Sequence, residues 1–371
     1  MDNKYLIPPG FKDSLNFDTF IEHQYKNTIV NAFRNNGFSL IKTPLVEYSK
    51  NFDNNTFTLK TNKKKEQLSI RNDITPQIIR IVSSRLANKR RPLKLCYYGE
   101  VIRKNGSILR PERQFQQVGA EIIGSESYKA DVEIINLAYE TLKDIGVKNI
   151  VIEISAPFFL NKVLKKINNK NLRQKLKKLI ELKDLNSCLK LLEDKEIIRS
   201  FKTLYISSGY IKNKKINIKK LSEVFGFENE VDRLIRIANL IKISSKDSLN
   251  VEFFEISKPK NYYNGIKFTF FAKGVRGEIA GGGRYNLKFG SNSETAIGYT
   301  CYMDTILRAS SFKNKNKNIL IPFSTEKRIK RMLIDKGFSL FKSFENISNL
   351  KEEAKKFKFK YFLANKIIKK I

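Results

Sequence analysis

Between Phe17 and Asn36 the apolar residues return every three or four positions, a spacing that predicts an amphipathic helix ending before Asn36-Gly37. The segment FSLIK that follows reads as a strand running into Thr43-Pro44, and a proline there suits an edge or interface turn. At Thr75-Pro76 the signals switch to a helix start, with threonine as N-cap, proline at the first helical position and Ile78, Ile79, Val82 and Leu86 at helical spacing. That helix is expected to run to about Leu86. Strand-like alternation fills LKLCYYGEVIR and RQFQQVGAEIIG, with a turn at Lys104-Asn105-Gly106-Ser107, so residues 93–124 predict an antiparallel hairpin. Helical periodicity returns from Ser127 to Ile145 and stops at Gly146, and the strand NIVIEIS comes next.

Residues 157 to about 243 differ in kind: rich in lysine and leucine, nearly free of glycine and helical in period, they read as an inserted helical region. Strands resume at VEFFEIS and over 262–286, and a helix at Met303–Ala309 closes the large domain. Beyond the polar stretch FKNKNKN, segments of strand and helix character alternate as far as the strand KYFLAN. The expected architecture is α+β, an antiparallel sheet flanked by helices, with a domain over 1–311 interrupted at about 157–243 and a small α/β domain over 319–371.

A length of 371 residues fits two or three domains, and 41% hydrophobic residues exclude a disordered or fibrous chain. No apolar run approaches the roughly 18 residues of a membrane span, the first residues lack a secretory pattern, and three scattered cysteines give no disulfide framework. A cytoplasmic setting is expected. His23 is the one histidine, so neither a zinc cage nor a histidine-based triad can be assembled, and no metal or cofactor is expected. The net charge of +34 would ordinarily suggest a polyanion partner. Here lysine is interleaved with asparagine and isoleucine along the whole chain, a bias that makes solvated lysine faces without specifying a nucleic acid.

Candidate chemistry is concentrated in a few segments. The cluster Gly281-Gly282-Gly283-Arg284-Tyr285 matches neither the dinucleotide nor the phosphate-loop pattern, and reads as a strand interior approached closely by another backbone or a ligand. In RNDITPQIIR, Asp73 and Thr75 stand just before a helix, where short polar side chains ordinarily cap. Arg103 lies on one strand of the hairpin, and Gln117 and Glu121 share a face of the other. Such a set suits a zwitterionic amino acid, guanidinium to carboxylate and acid to ammonium, although a surface salt-bridge ladder would use the same spacing. Tyr262 and Tyr263 alone read as core or hairpin aromatics.

Together these segments resemble the catalytic core of class II aminoacyl-tRNA synthetases, and within them histidyl-tRNA synthetase. GFSLIKTPLVE is similar to the dimer-interface motif, residues 97–124 to the second motif, AIGYTCYMDTILRA to the third, and YYN with GGGRYN to the histidine-specific loop and its following strand. The resemblance implies Asp73, Thr75, Arg103, Gln117, Glu121 and Tyr263 around a bound histidine.

Several departures bear on catalysis. Thr305 stands where the third motif carries the arginine that grips ATP, Tyr302 where a glycine is expected, Asn105 where an acid is expected, and Lys258 replaces the arginine before the tyrosine pair. The tail is also shorter than an anticodon-binding domain. The wording of RNDITPQIIR, LRPERQFQQVGAEIIG and CYMDTILRA resembles instead the synthetase-like regulatory subunits of ATP phosphoribosyltransferase. That resemblance implies a non-catalytic subunit, dimeric through the segment around Pro44, which joins a short-form catalytic subunit and conveys histidine feedback in the first step of histidine biosynthesis. A histidyl-tRNA synthetase paralogue binding histidine or tRNA is the alternative.

Overall fold

The structure is a computed structural model and describes residues 6–15, 17–60, 67–211, 221, 223–225, 228–256, 263–289, 292–310, 317–344 and 349–371. The chain divides into two compact units, Met1–Ser311 and Phe312–Ile371.

The large unit opens with α1 (Phe17–Asn35), which buries Ile21, Tyr25, Ile29, Val30 and Phe33 along one stripe. Its sheet takes in β1 (Ser39–Ile41), β5 (Leu93–Ile102), β6 (Gln114–Ile123), β7 (Ile150–Ser155), β8 (Gly209–Tyr210), β9 (Ser248–Glu252), β10 (Tyr263–Ala272), β11 (Ala280–Phe289) and β12 (Asn292–Tyr302). They lie in the order β1-β5-β6-β12-β11-β10-β7-β9-β8, parallel at β1·β5 and β7·β9 and antiparallel elsewhere. β1 is thus an edge strand, in keeping with the proline three residues beyond it. A separate three-stranded sheet, β2 (Val46–Tyr48), β4 (Leu68–Ile70) and β3 (Phe57–Leu59), follows the Thr43-Pro44 turn.

Helices cover both faces. On one lie α1, α3 (Tyr128–Asp144) and the insertion, comprising α4 (Pro157–Lys166), α5 (Lys170–Glu181), α6 (Leu185–Lys190), α7 (Lys195–Ser207) and α8 (Glu228–Leu240), whose apolar residues share one core with the sheet. On the other, α2 (Thr75–Ser83) seats Ile78 and Val82 on Leu95, Tyr97, Val101, Phe115, Tyr285 and Leu287. The helix α9 (Met303–Ala309) follows β12 directly. An ion-pair hub ties the insertion to the sheet: Asp131 of α3 accepts Arg284 Nε of β11 at 2.8 Å and pairs with Arg233 of α8. Because strand neighbours alternate faces, that anchor on Arg284 turns Tyr285 toward α2.

The small unit has a four-stranded sheet in the order β14 (Phe338–Ser343), β13 (Lys317–Pro322), β15 (Tyr361–Ala364), β16 (Ile367–Lys370), with α10 (Lys327–Asp335) and α11 (Leu350–Lys356). β16 is a strand the alternation did not predict.

Three details differ from the sequence reading. The helix from Thr75 stops at Ser83 rather than near Leu86. The connection between β5 and β6 spans Arg103 to Arg113 rather than a four-residue turn. The strand expected at VEFFEIS lies earlier, at Ser248–Glu252, because it pairs in parallel with Val151–Ser155 of β7.

Candidate functional site

Between α2 and the sheet lies a cavity of about 300 Å³, lined by Asp73, Thr75, Glu121, Tyr263, Tyr285, Gly298 and Thr300 among others. A cavity of this volume holds a small molecule such as an amino acid. Glu121 forms the floor, 2% exposed. Tyr285 Oη donates to Glu121 Oε2 at 2.9 Å, and Thr75 Oγ1 donates to Oε1 at 3.3 Å. Thr75 also meets Tyr97 Oη at 3.1 Å, which in turn meets Thr300 Oγ1 at 2.8 Å. Burial pushes the Glu121 carboxyl up to about 8; the Tyr285 hydroxyl opposes that rise, while the nearby Asp73 charge adds to it.

Glycine makes room for this floor. A Cβ at Gly298 of β12 would fall on the Glu121 carboxylate, and one at Gly282 of β11 would fall on the Gly298 carbonyl. The close approach expected of the triple-glycine strand is therefore made by backbone and, at Gly283, by the Tyr263 ring.

Thr75 is not the cap of α2. The N-cap is Ile74, and Asp73 Oδ1 accepts the Thr75 amide at 3.1 Å while Gln117 Oε1 accepts the Ile74 amide at 3.1 Å. Asp73 thus performs the local turn function, which leaves the Thr75 hydroxyl to the buried carboxyl. Asp73 sits half-buried at the mouth, where burial raises its carboxyl and the Thr75 amide and Arg103 draw it back. The Arg103 guanidinium lies over the Phe115 ring at 4.8 Å, beside Asp73, with no carboxylate in ion-pair range among the described residues.

Four of the six anticipated residues, Asp73, Thr75, Glu121 and Tyr263, therefore line one cavity; Arg103 stands at its edge, and Gln117 lies buried behind the start of α2. Lys258 and Tyr262 fall outside the described residues. Tyr285, Tyr97, Thr300 and Gly298 were not anticipated as parts of the site, although the Arg-Tyr alternation after the glycines was a usable signal for Tyr285.

Next to the cavity, the same sheet face is filled by the chain itself. Arg110, 3% exposed, presents Nε and Nη2 to the two carboxylate oxygens of Asp304 at 3.3 and 3.1 Å, and Nη1 to Glu278 at 3.2 Å. Its guanidinium is sandwiched between Phe115 at 4.5 Å and Tyr302 at 3.9 Å. Thr305 is fully buried and donates to the carbonyls of Glu278 at 2.8 Å and Tyr302 at 3.0 Å. Asn105 serves the loop, its amide donating to Asn55 Oδ1 at 2.8 Å.

A largely antiparallel sheet with helices on both faces and an amino-acid-sized pocket under α2 defines a class II synthetase-like fold. The structure is similar to an ATP phosphoribosyltransferase regulatory subunit/histidyl-tRNA synthetase from Bacillus halodurans, with a TM-score of 0.76 at 19% identity over 95% of this chain and 96% of that one. It is also similar to a chain of an ATP phosphoribosyl transferase complex from Thermotoga maritima, with a TM-score of 0.59 at 18% identity over 76% and 98%. The family model described as histidyl-tRNA synthetase matches residues 10–306. ATP phosphoribosyltransferase regulatory subunits of Rhodospirillum rubrum (31% identical, 81% of this chain and 80% of that one) and Paramagnetospirillum magneticum (28%, 95% and 94%) are among its relatives. The chain belongs to the histidyl-tRNA synthetase family and, within it, to the ATP phosphoribosyltransferase regulatory subunits.

Proposed function

We propose that the chain is a non-catalytic subunit that assembles with a short-form ATP phosphoribosyltransferase catalytic subunit, activates it and conveys histidine feedback in the first step of histidine biosynthesis. One observation carries the reading: an amino-acid-sized cavity retains its acids and hydroxyls, while the adjoining surface, where the synthetase resemblance would put ATP, is occupied by Arg110 and Thr305 satisfied from within the chain. The names of the relatives and the T. maritima complex support the hetero-oligomer.

Depth orders the ligand. The half-buried Asp73 and Arg103 at the mouth suit the ammonium and carboxylate of a free amino acid, which leaves its side chain to Glu121 and Tyr263 below, with Thr75 and Gln117 supporting the inner wall. Self-association as a dimer is proposed around the exposed Leu40, Leu45, Val46 and Tyr48, next to edge strand β1.

Mixing the chain with a short-form catalytic subunit tests the reading. Activity and a larger complex in sedimentation are expected from the mixture, with inhibition by histidine. Histidine-dependent pyrophosphate exchange by the chain alone would favour the synthetase alternative.

A further inference from the structure

The start of the connection between β5 and β6 is pinned at every amide. Ile102, Arg103, Lys104 and Asn105 donate their backbone N–H groups in turn to the Arg71 carbonyl at 2.9 Å, the Arg113 carbonyl at 2.7 Å, the Asn55 carbonyl at 3.1 Å and Asn55 Oδ1 at 2.8 Å. A surface connection ordinarily leaves such groups to water. Arg103, at the cavity mouth, lies inside this run. Arg113, at the far end of the same connection, holds it from the other side. Its Nε donates to the Arg103 carbonyl at 3.3 Å, so the two residues exchange hydrogen bonds. Its Nη1 donates to the Pro9 carbonyl at 3.0 Å and its amide to the Gly10 carbonyl at 2.7 Å, while the guanidinium lies over the Phe11 ring at 4.8 Å and the Phe57 ring at 5.0 Å. Only glycine permits this closeness at position 10: at φ +83°, a Cβ there would stand 2.6 Å from the Arg113 side chain and 2.9 Å from the Pro111 carbonyl oxygen. The turn at Pro8, closed by the Phe11 amide on the Pro8 carbonyl at 3.1 Å, is therefore shaped to lie on Arg113.

We propose that Arg113 is a positioning residue for the ligand's carboxylate: clasped by the turn of residues 8–11, it fixes the backbone of Arg103 so that the Arg103 guanidinium stands ready at the cavity mouth. The inference rests on the proposed amino-acid reading and adds a residue outside the cavity on which affinity depends. An arginine whose backbone is fixed before the ligand arrives loses less freedom on binding than one carried by a mobile loop. Arg113 does not line the cavity, so its removal is felt only by ligands whose carboxylate needs Arg103. Lysine is no substitute, since a point charge cannot donate along the Nε and Nη1 directions together or lie flat on two rings.

Calorimetry on the full chain with L-histidine and with L-histidinol, which carries a hydroxymethyl group in place of the carboxylate, reads this dependence. The wild type is expected to prefer histidine. Arg113→Ala should weaken histidine roughly tenfold, the cost of ordering one side chain and its backbone on binding, and leave histidinol within about twofold. Arg113→Lys should shift the preference as Arg113→Ala does. Gly10→Ala, which keeps Arg113 but lifts the turn from it, should lower the preference in the same direction, and either variant carries the comparison if the alanine variant does not fold. On an Arg103→Ala background, Arg113→Ala should change histidine affinity less than about twofold, because both act through one group. Equal weakening of the two ligands by Arg113→Ala, an unchanged histidine affinity, or additive losses in the double variant would overturn the proposal while leaving histidine binding intact. A wild type that binds histidine no better than histidinol, or not at all, would remove the reading of Arg103 and this inference together.

Discussion

Two neighbouring patches of one sheet face are built from the same residue types and end in opposite electrostatic states. Around Arg110, the guanidinium has two carboxylates and two aromatic rings supplied by the chain, and Thr305 spends its hydroxyl on two carbonyls. Around Glu121, a carboxyl of equal burial has only hydroxyl donors and an empty volume in front of it. The first patch has exhausted its interactions on stability, whereas the second is left with charges that only a ligand can complete. Substitutions should therefore separate cleanly, into stability effects at the Arg110 patch and binding effects at the cavity.

The largest effect is expected from Arg110→Ala. It strands Asp304, whose side chain is 2% exposed, and leaves Glu278 without its partner. Breaking a buried pair from one side costs about 3–5 kcal/mol, which equilibrium denaturation would read. Lysine at 110 should recover only part of this, since a point charge cannot span both Asp304 oxygens or lie between the rings. A loss under about 1 kcal/mol would mean that the sandwich is a surface arrangement and the contrast with the cavity is false.

Arg103→Ala is expected to do the reverse. Its guanidinium has the Phe115 ring and Asp73 for company but no ion pair, so stability should change by no more than about 1 kcal/mol. Histidine affinity should fall by about 2–4 kcal/mol, on the order of 30- to 1,000-fold, if this group meets the ligand carboxylate. Unchanged affinity in calorimetry would move the amino-acid site away from this cavity.

At Glu121 the comparison is sharpened by the sign of a pH effect. The folded chain holds this carboxyl at about 8 against an ordinary value of 4.5. Between those values the native state binds more protons than the unfolded one, so this residue's contribution to stability falls as pH rises through that interval. Glutamine abolishes the slope. Glu121→Gln should thus match the wild type near pH 4 and be more stable near pH 7, by roughly 1–3 kcal/mol, even though it binds histidine less well. Thermal melts of both proteins from pH 4 to 8 would show the curves diverging, and parallel curves would mean that the carboxyl is solvated.

How much of this was visible beforehand depends on the range of each interaction. Strand alternation put Gln117 and Glu121 on one face, and the order of polar residues put Asp73 and Thr75 at the start of α2, while only the family resemblance set the two pairs beside each other. The first two are local regularities. The role of Thr75 could not be read locally, because capping and a buried hydrogen bond compete for the same hydroxyl and the winner depends on Glu121, 46 residues away. Nothing local marked Arg110, since its partner Asp304 lies 194 positions on and the aromatic sandwich comes from two different strands. Tyr97 and Tyr285 were hidden for the same reason: each joins the site through cross-sheet geometry. The fold was more legible than the site, because periodicity determines elements and only tertiary register brings their polar groups together.

The smallest expected effect tests the boundary between the patches. Thr305 lies three residues past Tyr302, whose ring lines the cavity and also stacks on Arg110, so Thr305 is close enough to transmit a disturbance either way. Thr305→Val keeps the shape and removes the hydroxyl, leaving the Glu278 and Tyr302 carbonyls without that donor. The expected cost is about 1 kcal/mol of stability, with histidine affinity changed less than about twofold, because the lost hydrogen bonds go to backbone carbonyls and not to a side chain of the cavity. A tenfold loss of histidine affinity with little loss of stability would show that Tyr302 couples the two patches. The filled patch would then be part of the sensor, since a change in its packing would be read out as a change in ligand affinity.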